Sequence, residues 1–267
     1  MKTIGSKILI GLIIAFFIVG FTTSAKSLID LSDATTEPVT KPATEINPLS
    51  VVYPATLAQY RQQTKDYVKS FSKNKREYII HIFGKGEKFF PKALNILNKH
   101  NVPRELQMIP VLESQFNANA VSPVGAVGYY QFMSELATEY GLHINGKYDE
   151  RKNFTKSSTA AAKFFKDQLN YFNDDLLLSV AAYNCGPGRV QSSIKKSGEK
   201  DANFWDIKRY LPAETRKFVM DFIAFNVIAA NYEKFLDRKL DFNEPPLIQV
   251  TTTDPEISTD SLTVKAL

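Results

Sequence analysis

The sequence predicts a mainly α-helical protein with one globular body, roughly residues 51–235. Apolar residues recur every three or four positions through most of this stretch, which is the period of an amphipathic helix. Prolines precede several of the periodic runs and glycines follow others, as is typical of helix starts and helix ends. The composition, 44% hydrophobic and 23% charged, supplies enough apolar side chains for a packed core.

The first 25 residues have the three parts of a secretory signal. Lys2 and Lys7 provide positive charge, an apolar run follows from residue 8 to residue 21, and small residues lead up to Ala25. Because this run of 14 residues is short for a helix that crosses a bilayer, cleavage after Ala25 is expected. We therefore predict an exported protein of the cell envelope, located in the periplasm. The sequence leaves open whether the segment instead stays as a membrane anchor.

The net charge and the cysteine content restrict the classes of function that this protein can have. The formal net charge of +5 falls to +3 without residues 1–25, since that segment holds two lysines and no acidic residue. This mild excess suits an acidic polymer such as a cell wall, while the lack of a dense basic run argues against nucleic acid. The single cysteine, Cys185, cannot form an internal disulfide, and we interpret it as a small packing residue rather than a nucleophile.

Three segments, two before and one after the central part of the chain, differ from it and from each other in composition. Residues 26–50 are rich in Thr, Pro, Ser and acidic side chains, which predicts a flexible tether. Residues 51–100 carry apolar side chains at helical spacing from Leu57 to Phe83 and again from Phe90 to Leu97, which predicts a helical lead-in. Residues 236–267 hold two adjacent prolines and a threonine run, and are predicted to form an extended or disordered tail.

The remaining helices are placed by their apolar stripes and by residues suited to their ends. Pro103 suits the first position of a helix that continues through Phe116, and Pro110 is predicted to kink that helix. Further helices are predicted from Gln131 to Tyr140, after a cap at Ser157 or Ser158, from Asp175 to Tyr183, from Pro187, and from Pro212 to Phe235.

One carboxylate stands inside an apolar run. In the stretch IPVLESQFN, Glu113 lies four positions after Ile109, at the margin of the stripe formed by Ile109, Leu112 and Phe116. Partial removal from water disfavours the charged form, which raises the pKa and makes a carboxyl group a usable acid at neutral pH. The alternative is a glutamate on the polar edge of the helix that reaches solvent or pairs with a lysine.

Two further stretches bring polar residues next to turns. In SPVGAVGYYQFM, Gly125 and Gly128 predict a bend ahead of Gln131, where the backbone can approach a ligand closely. In AAYNCGPGRV, Tyr183 and Asn184 end a buried helix at the point where the chain turns away. Polar groups at helix ends commonly face a cleft. Either stretch alone, however, more often only forms a turn and is not part of a functional site.

The three motifs, in this order, resemble those of the lytic transglycosylases of the goose-lysozyme-like family, and in particular its membrane-bound members. They are Glu113-Ser114, Gly125 to Gln131, and Ala182-Tyr183-Asn184. The stretches VPRELQMIPVLESQFN, YDERKN and LPAETRKFV match as well, and the resemblance covers residues 75–235. It implies an α+β fold of the lysozyme-like superfamily, with the catalytic transglycosylase domain at residues 101–235.

The resemblance implies non-hydrolytic cleavage of peptidoglycan. In this family the glutamate of the E-S pair is the sole catalytic acid and base, which implies both roles for Glu113. It protonates the leaving oxygen of the β-1,4 bond between N-acetylmuramic acid and N-acetylglucosamine. The sugar's own 6-hydroxyl then attacks and leaves a 1,6-anhydromuramic end. The implied partner is a peptidoglycan glycan strand, neither a metal ion nor a cofactor is expected, and the binding of envelope proteins is left open.

The resemblance also implies a set of substrate-binding residues. They are Ser122, Tyr129, Tyr130, Gln131, Tyr183 and Asn184. The pair Tyr129-Tyr130 departs from the family, which usually has Leu with Met or Trp there, and its aromatic rings are expected to stack on sugar. Ser114 is expected to bond local backbone, and Asp149 with Arg151 to form a salt bridge that holds a loop.

Three alternatives are left open. Ordinary glycosidases use two carboxyl groups, and no second acid is evident beside these motifs, which disfavours a hydrolytic muramidase without excluding it. Phe218 stands where the family often carries a tyrosine whose hydroxyl reaches the acid. Together with the altered pair Tyr129-Tyr130, this departure leaves open a non-catalytic peptidoglycan-binding module. In the third alternative the protein is structural, and Glu113 lies far from any cleft.

Overall fold

The computed structural model describes residues 49–243, of which 67% are α- or 3-10-helical, so the predicted mainly α class is confirmed. The α-helices of this range are α1 (Arg61–Asn74), α2 (Arg76–Gly86), α3 (Phe90–Lys99), α4 (Ile109–Ser114), α5 (Ser134–Glu139), α6 (Phe154–Tyr171), α7 (Leu176–Cys185), α8 (Pro187–Ser197), α9 (Phe204–Ile207), α10 (Ala213–Ala230) and α11 (Tyr232–Leu236). Short 3-10 helices occupy Ala55–Tyr60, Arg104–Met108, Glu150–Lys152 and Lys208–Tyr210. Extended pairing within residues 49–243 is limited to isolated β-bridges.

Helix α10 is the centre of the core. All residues from 219 to 228 are buried, and Phe222, Ile223 and Ile228 are fully so. Because consecutive residues point in all directions around a helix, α10 is enclosed by protein on every side along this stretch. It packs against α1, α4 and α7. Since each large apolar side chain contributes about 1.5–3 kcal/mol on burial, α10 fixes α4 and α7 firmly relative to each other.

The helices of the predicted lead-in pack onto α10 through aromatic side chains. Phe71 of α1 meets Phe225 of α10 edge-on with 5.2 Å between ring centroids, and Phe83 of α2 lies 5.9 Å from the same ring. Asn231, which follows α10, donates to the carbonyl oxygen of Val52 at 2.6 Å and accepts from its N–H at 2.9 Å. The lead-in therefore shares the core of the body.

The segment that carries Glu113 differs from the single kinked helix predicted for it. Pro103 precedes the 3-10 helix Arg104–Met108, and α4 begins only at Ile109. Pro110 thus lies in the first turn of α4, where the missing N–H costs no helical hydrogen bond. The helix ends at Ser114, because Gln115 and Phe116 adopt left-handed conformations with φ of 53° and 57°. The predicted kink at Pro110 and the continuation to Phe116 are therefore wrong.

Other predicted helix boundaries also need correction. Helix α5 begins at Ser134 and not at Gln131, whose φ of 49° is incompatible with a right-handed helix. Helix α6 begins at Phe154, because the side chain of Asn153 accepts from the N–H of Lys156 at 3.0 Å. The predicted cap residues Ser157 and Ser158 are instead buried inside α6. The run predicted from Pro212 to Phe235 is divided between α10 and α11 at Asn231.

The two ends of the described range lie side by side. Ser50 forms a parallel β-bridge with Asp241, supported by hydrogen bonds from Val51 N to Asp241 O at 2.8 Å and from Asp241 N to Leu49 O at 3.1 Å. The predicted signal segment, the tether up to residue 48 and the tail from residue 244 lie outside the described residues. Between residues 49 and 243, none of the helices combines the length and the apolar character needed to cross a membrane.

Candidate active site

Glu113 is the residue before the last of α4, and its side chain is half-buried. Its carboxyl group forms no hydrogen bond or ion pair with any residue of the described range 49–243. The Glu113 oxygens are also not among the fully buried polar atoms that lack a partner. The group therefore has no partner within the described range and is still reachable from solvent, as an acid that acts on a bound molecule must be.

The carboxyl group of Glu113 keeps its proton to an unusually high pH. Burial, followed by the negative charge of Glu214, raises its pKa to about 8 from an ordinary value of 4.5. Both causes disfavour the anion: water is withdrawn from it, and a second negative charge repels it. The raised pKa predicted for Glu113 is confirmed, so this glutamate is an acid at neutral pH.

Glu214 is a second carboxyl group that acts on this site. It is exposed at the second position of α10 and close enough to Glu113 to raise its pKa. Sequence reasoning did not single out this second carboxyl group. The signal was present in the sequence, since Glu214 belongs to the matching stretch LPAETRKFV, but only the packing of α10 against α4 brings the two residues together.

The end of α7 brings the third motif to the same place. Tyr183 donates from its hydroxyl to the carbonyl oxygen of Tyr130 at 2.6 Å, and its ring stacks on Phe165 with 4.9 Å between centroids. Burial, followed by the charge of Glu113, raises the pKa of Tyr183 well above its ordinary value, which shows that the two side chains are close. The structure thus brings Tyr183 and Glu113 together.

Asn184 connects α7 to α10. Its Oδ1 accepts a hydrogen bond of 2.7 Å from the hydroxyl of Thr215, a buried residue next to Glu214. Sequence reasoning missed Thr215, although it lies in the same matching stretch as Glu214. The Nδ2 group of Asn184 forms no hydrogen bond within residues 49–243, so it is left as a donor.

Ser114 fixes the glycine-containing loop to α4. Its hydroxyl donates to the carbonyl oxygen of Tyr129 at 2.8 Å and accepts from the N–H of Asn117 at 3.2 Å. The predicted bonding of Ser114 to nearby backbone is confirmed. Together with the bond from Tyr183 to Tyr130, it holds two consecutive carbonyl groups of the loop from two different helices. The three motifs therefore converge around Glu113.

Gly128 is required by the protein's own backbone. A Cβ atom at this position would lie 2.1 Å from the carbonyl oxygen of Arg151, so only glycine fits. Arg151 is buried, pairs with Asp149 at 2.7 Å and donates to the carbonyl oxygen of Phe132 at 3.1 Å. The predicted salt bridge is confirmed, and it fastens the segment after α5 to the glycine-containing loop.

Ser122 and Gln131 bind the backbone of their own loop. The hydroxyl of Ser122 accepts from the N–H of Ala126 at 2.9 Å. The amide of Gln131 donates to the carbonyl oxygens of Ala120 at 3.1 Å and Gly128 at 2.9 Å. Both side chains are half-buried, and neither forms a hydrogen bond with Glu113. In this structure they shape the loop, and their contact with substrate stays a prediction.

The two tyrosines of the loop have different surroundings. Tyr130 is only 2% exposed, with its ring packed near Phe132 and Phe154, so it presents no face to a ligand. The prediction that Tyr130 stacks on sugar is therefore wrong, because the loop turns this ring into the core. Tyr129 is half-buried, with its ring 5.1 Å from Phe154 and 5.4 Å from Phe89. Its stacking on sugar stays a prediction.

Cys185 and Phe218 are packing residues at the edge of the site. Both are half-buried against the core. Burial raises the pKa of the Cys185 thiol, which lowers the fraction of reactive thiolate. This supports the interpretation of the cysteine as a packing residue. Within residues 49–243, no group of three or more His, Cys, Asp or Glu side chains is arranged to hold a metal ion.

Comparison with known proteins shows which proteins this chain is similar to. Residues 94–205 match the model of the transglycosylase SLT domain, a range that includes all three motifs. That part of the chain is similar to an SLT domain. The chain is also similar to membrane-bound lytic murein transglycosylase D of Escherichia coli (strain K12), with 32% identity over 177 residues, which are 66% of this chain and 38% of that protein.

Two further comparisons concern soluble enzymes. The soluble lytic murein transglycosylase of Escherichia coli (strain K12) is 29% identical over 166 residues, 57% of this chain and 25% of that protein. The crystal structure of the 70-kDa soluble lytic transglycosylase from Escherichia coli superposes with a TM-score of 0.46 and 21% identity, over 69% of this chain and 32% of that one. The chain thus spans less than two fifths of the length of these relatives.

Gly128→Ala is expected to destabilise the protein more than Gly125→Ala. The two glycines have φ of 83° and 88°, where an added Cβ costs about 1–2 kcal/mol. At Gly128 the Cβ also meets the Arg151 carbonyl, whereas at Gly125 nothing lies within 4 Å. Urea unfolding should show a loss of about 1 kcal/mol for Gly125→Ala and about 3 kcal/mol or more for Gly128→Ala. Equal losses would mean that the backbone at Gly128 can move aside.

The free energy of unfolding is expected to depend on pH through Glu113. The folded protein keeps this proton up to a pH of about 8, whereas the unfolded chain releases it near the ordinary pKa of 4.5. Because the folded state then binds more protons, the free energy of unfolding falls as the pH rises through this window, by at most about 1.4 kcal/mol per pH unit. The substitution Glu113→Gln removes this contribution.

Denaturant titrations at several pH values test this dependence. The difference in free energy of unfolding between the Glu113→Gln variant and the natural protein should grow from pH 5 to pH 8. Glu135→Gln, which replaces an exposed glutamate on α5, serves as the control for the loss of one carboxyl group. A constant difference for Glu113→Gln across this range would contradict the raised pKa.

Proposed function

We propose that the protein is a peptidoglycan lytic transglycosylase with Glu113 as its catalytic acid and base. This proposal rests on the protonation and the surroundings of the Glu113 carboxyl group. It is a carboxyl group without a protein partner in the described range, with a pKa raised to about 8, where three motifs converge. The SLT domain and the lytic murein transglycosylase relatives support the same activity.

The raised pKa serves both proton transfers of this reaction. At neutral pH the Glu113 carboxyl is protonated and donates to the glycosidic oxygen as the bond from this oxygen to the muramic C1 breaks. The N-acetyl group of the muramic residue stabilises the cationic carbon. The Glu113 carboxylate left behind is poorly hydrated and therefore a stronger base than an exposed glutamate. It takes the proton of the 6-hydroxyl as the new bond from O6 to C1 forms, and this restores the acid without consuming water.

The neighbouring side chains have separate roles in this proposal. Asn184 presents its free Nδ2 donor to the sugar, since its Oδ1 is occupied by Thr215. Tyr183 holds the loop through its hydroxyl and positions the backbone of Tyr130. Ser122 and Gln131 act on the substrate side of the loop, and Tyr129 offers its half-exposed ring to a sugar face.

The proposal places the protein in the cell envelope, where peptidoglycan lies. The charged start, the apolar run and the small residues before Ala25 support export. The relatives include a membrane-bound and a soluble murein enzyme by name. Whether the signal segment is removed or retained as an anchor decides between a free and a membrane-held enzyme in the periplasm.

Glu113→Gln is expected to abolish cleavage while leaving wall binding in place. Glutamine has nearly the same shape but can neither donate nor recover the proton, so release of fragments from purified sacculi should fall by at least about 10²-fold. Mass spectrometry of the products from the natural protein should show anhydromuramic ends. Glu135→Gln should release fragments at the natural rate. If the natural protein and Glu113→Gln both bind sacculi and neither releases fragments, the protein is a binding module.

A hydrolytic muramidase is the second candidate, because Glu214 supplies a second carboxyl group. Its products would end in reducing muramic acid, one water heavier than the anhydro form. Glu214→Gln separates the two mechanisms further. If Glu214 acts only through its charge, the variant lowers the pKa of Glu113, so the pH profile shifts to lower pH and the anhydro products persist. If Glu214 activates water, the variant loses activity by about 10²-fold or more at every pH.

A further inference from the structure

A cavity of about 1040 Å³ lies where the lead-in meets the body. It is lined by residues of α2, α3, the 3-10 helix Arg104–Met108 and the end of α10, and we call it the lead-in cavity. Neither Glu113 nor any of the candidate substrate-binding residues lines it. Its volume is that of a small-molecule pocket, so it is a separate place where a ligand fits.

Glu105 is an unusual residue to line this cavity. It is only 5% exposed, yet its carboxyl group has no hydrogen bond and no ion pair with any residue between 49 and 243. Its oxygens are not among the fully buried atoms without a partner, so they keep some access to solvent, and Glu105 lines the cavity. A carboxylate with little access to water and no partner in the protein attracts a cation.

The wall of the lead-in cavity contains a cluster of aromatic rings. Phe83 meets Phe90 edge-on with 5.8 Å between centroids, and the ring of Tyr232 lies 5.1 Å from that of Phe83. Aromatic faces attract ammonium groups and pack well against hydrocarbon chains. A carboxylate beside such a wall is the arrangement that recognises an amine carried on an aliphatic chain.

The charges around the lead-in cavity favour the same ligand. Its charged lining residues are Glu87, Arg104 and Glu105, so two carboxylates and one guanidinium group line it. Glu87 and Arg104 are exposed, which leaves Glu105 as the buried charge. We propose that the lead-in cavity binds a primary alkylammonium group, with Glu105 as its anionic partner and the rings of Phe83, Phe90 and Tyr232 against its hydrocarbon chain.

Calorimetric titration of the full chain tests this site. Free diamines and diamino-acid residues of peptides carry the same group, so the probes are cadaverine and Nα-acetyl-L-lysine methylamide. At least one should bind saturably to a single site. The matched probe with an acetylated side-chain amine should bind at least about tenfold more weakly, because it lacks the charge that meets Glu105. The amine that binds with the higher affinity shows whether a free diamine or a peptide residue is the better ligand.

Amino-acid substitutions test whether Glu105 is the residue that binds the amine. Glu105→Gln should weaken amine binding about tenfold or more, while Glu77→Gln, an exposed glutamate on α2, should leave it unchanged. Glu113→Gln should also bind the amine normally, so that failure of this site and failure of the proposed catalytic activity are distinguishable. The proposal is overturned if neither amine binds, if acetylation of the probe has no effect, or if Glu105→Gln binds like the natural protein. If Glu105→Gln does not fold, the acetylated probe still decides the question on the natural protein.

Discussion

The protonation of Glu113 is the constraint on which the rest of the site depends. A carboxyl group among apolar neighbours keeps its proton only while no cation and no cluster of N–H groups stabilises the anion. The backbone contributes to this condition, because α4 ends one residue after Glu113, at Ser114, and the left-handed Gln115 and Phe116 turn the chain away. Glu113 is thus at the C-terminal end of a helix, where the partial negative charge of the carbonyl groups disfavours a carboxylate.

Three hydroxyl groups of the site bond to partners other than Glu113. The hydroxyls of Ser114 and Tyr183 donate to consecutive carbonyl groups of the loop, and the hydroxyl of Thr215 donates to Asn184. Each bond joins two elements of the fold, so these hydroxyls assemble the site and leave the Glu113 carboxyl group without a partner among them.

The sequence predicted what depends on local periodicity and missed what depends on tertiary packing. Helical spacing located α1 to α3, and the apolar surroundings of Glu113 indicated its raised pKa. The loop after Gly128 has no period, so nothing local distinguishes the buried Tyr130 from the half-exposed Tyr129. Glu214 is remote from Glu113 along the chain, and only the packing of α10 against α4 makes them neighbours. Helix starts were misplaced where several residues suit a cap equally well.

The bridge between Ser50 and Asp241 has a consequence for the architecture of larger proteins built from this fold. The chain enters and leaves the described body at adjacent points joined by backbone hydrogen bonds. A body with neighbouring entry and exit points can be spliced into a surface loop of a host protein without stretching it. The same closeness lets a short connector join the two points, so that a circularly permuted chain could begin elsewhere on the surface and still retain the core around α10.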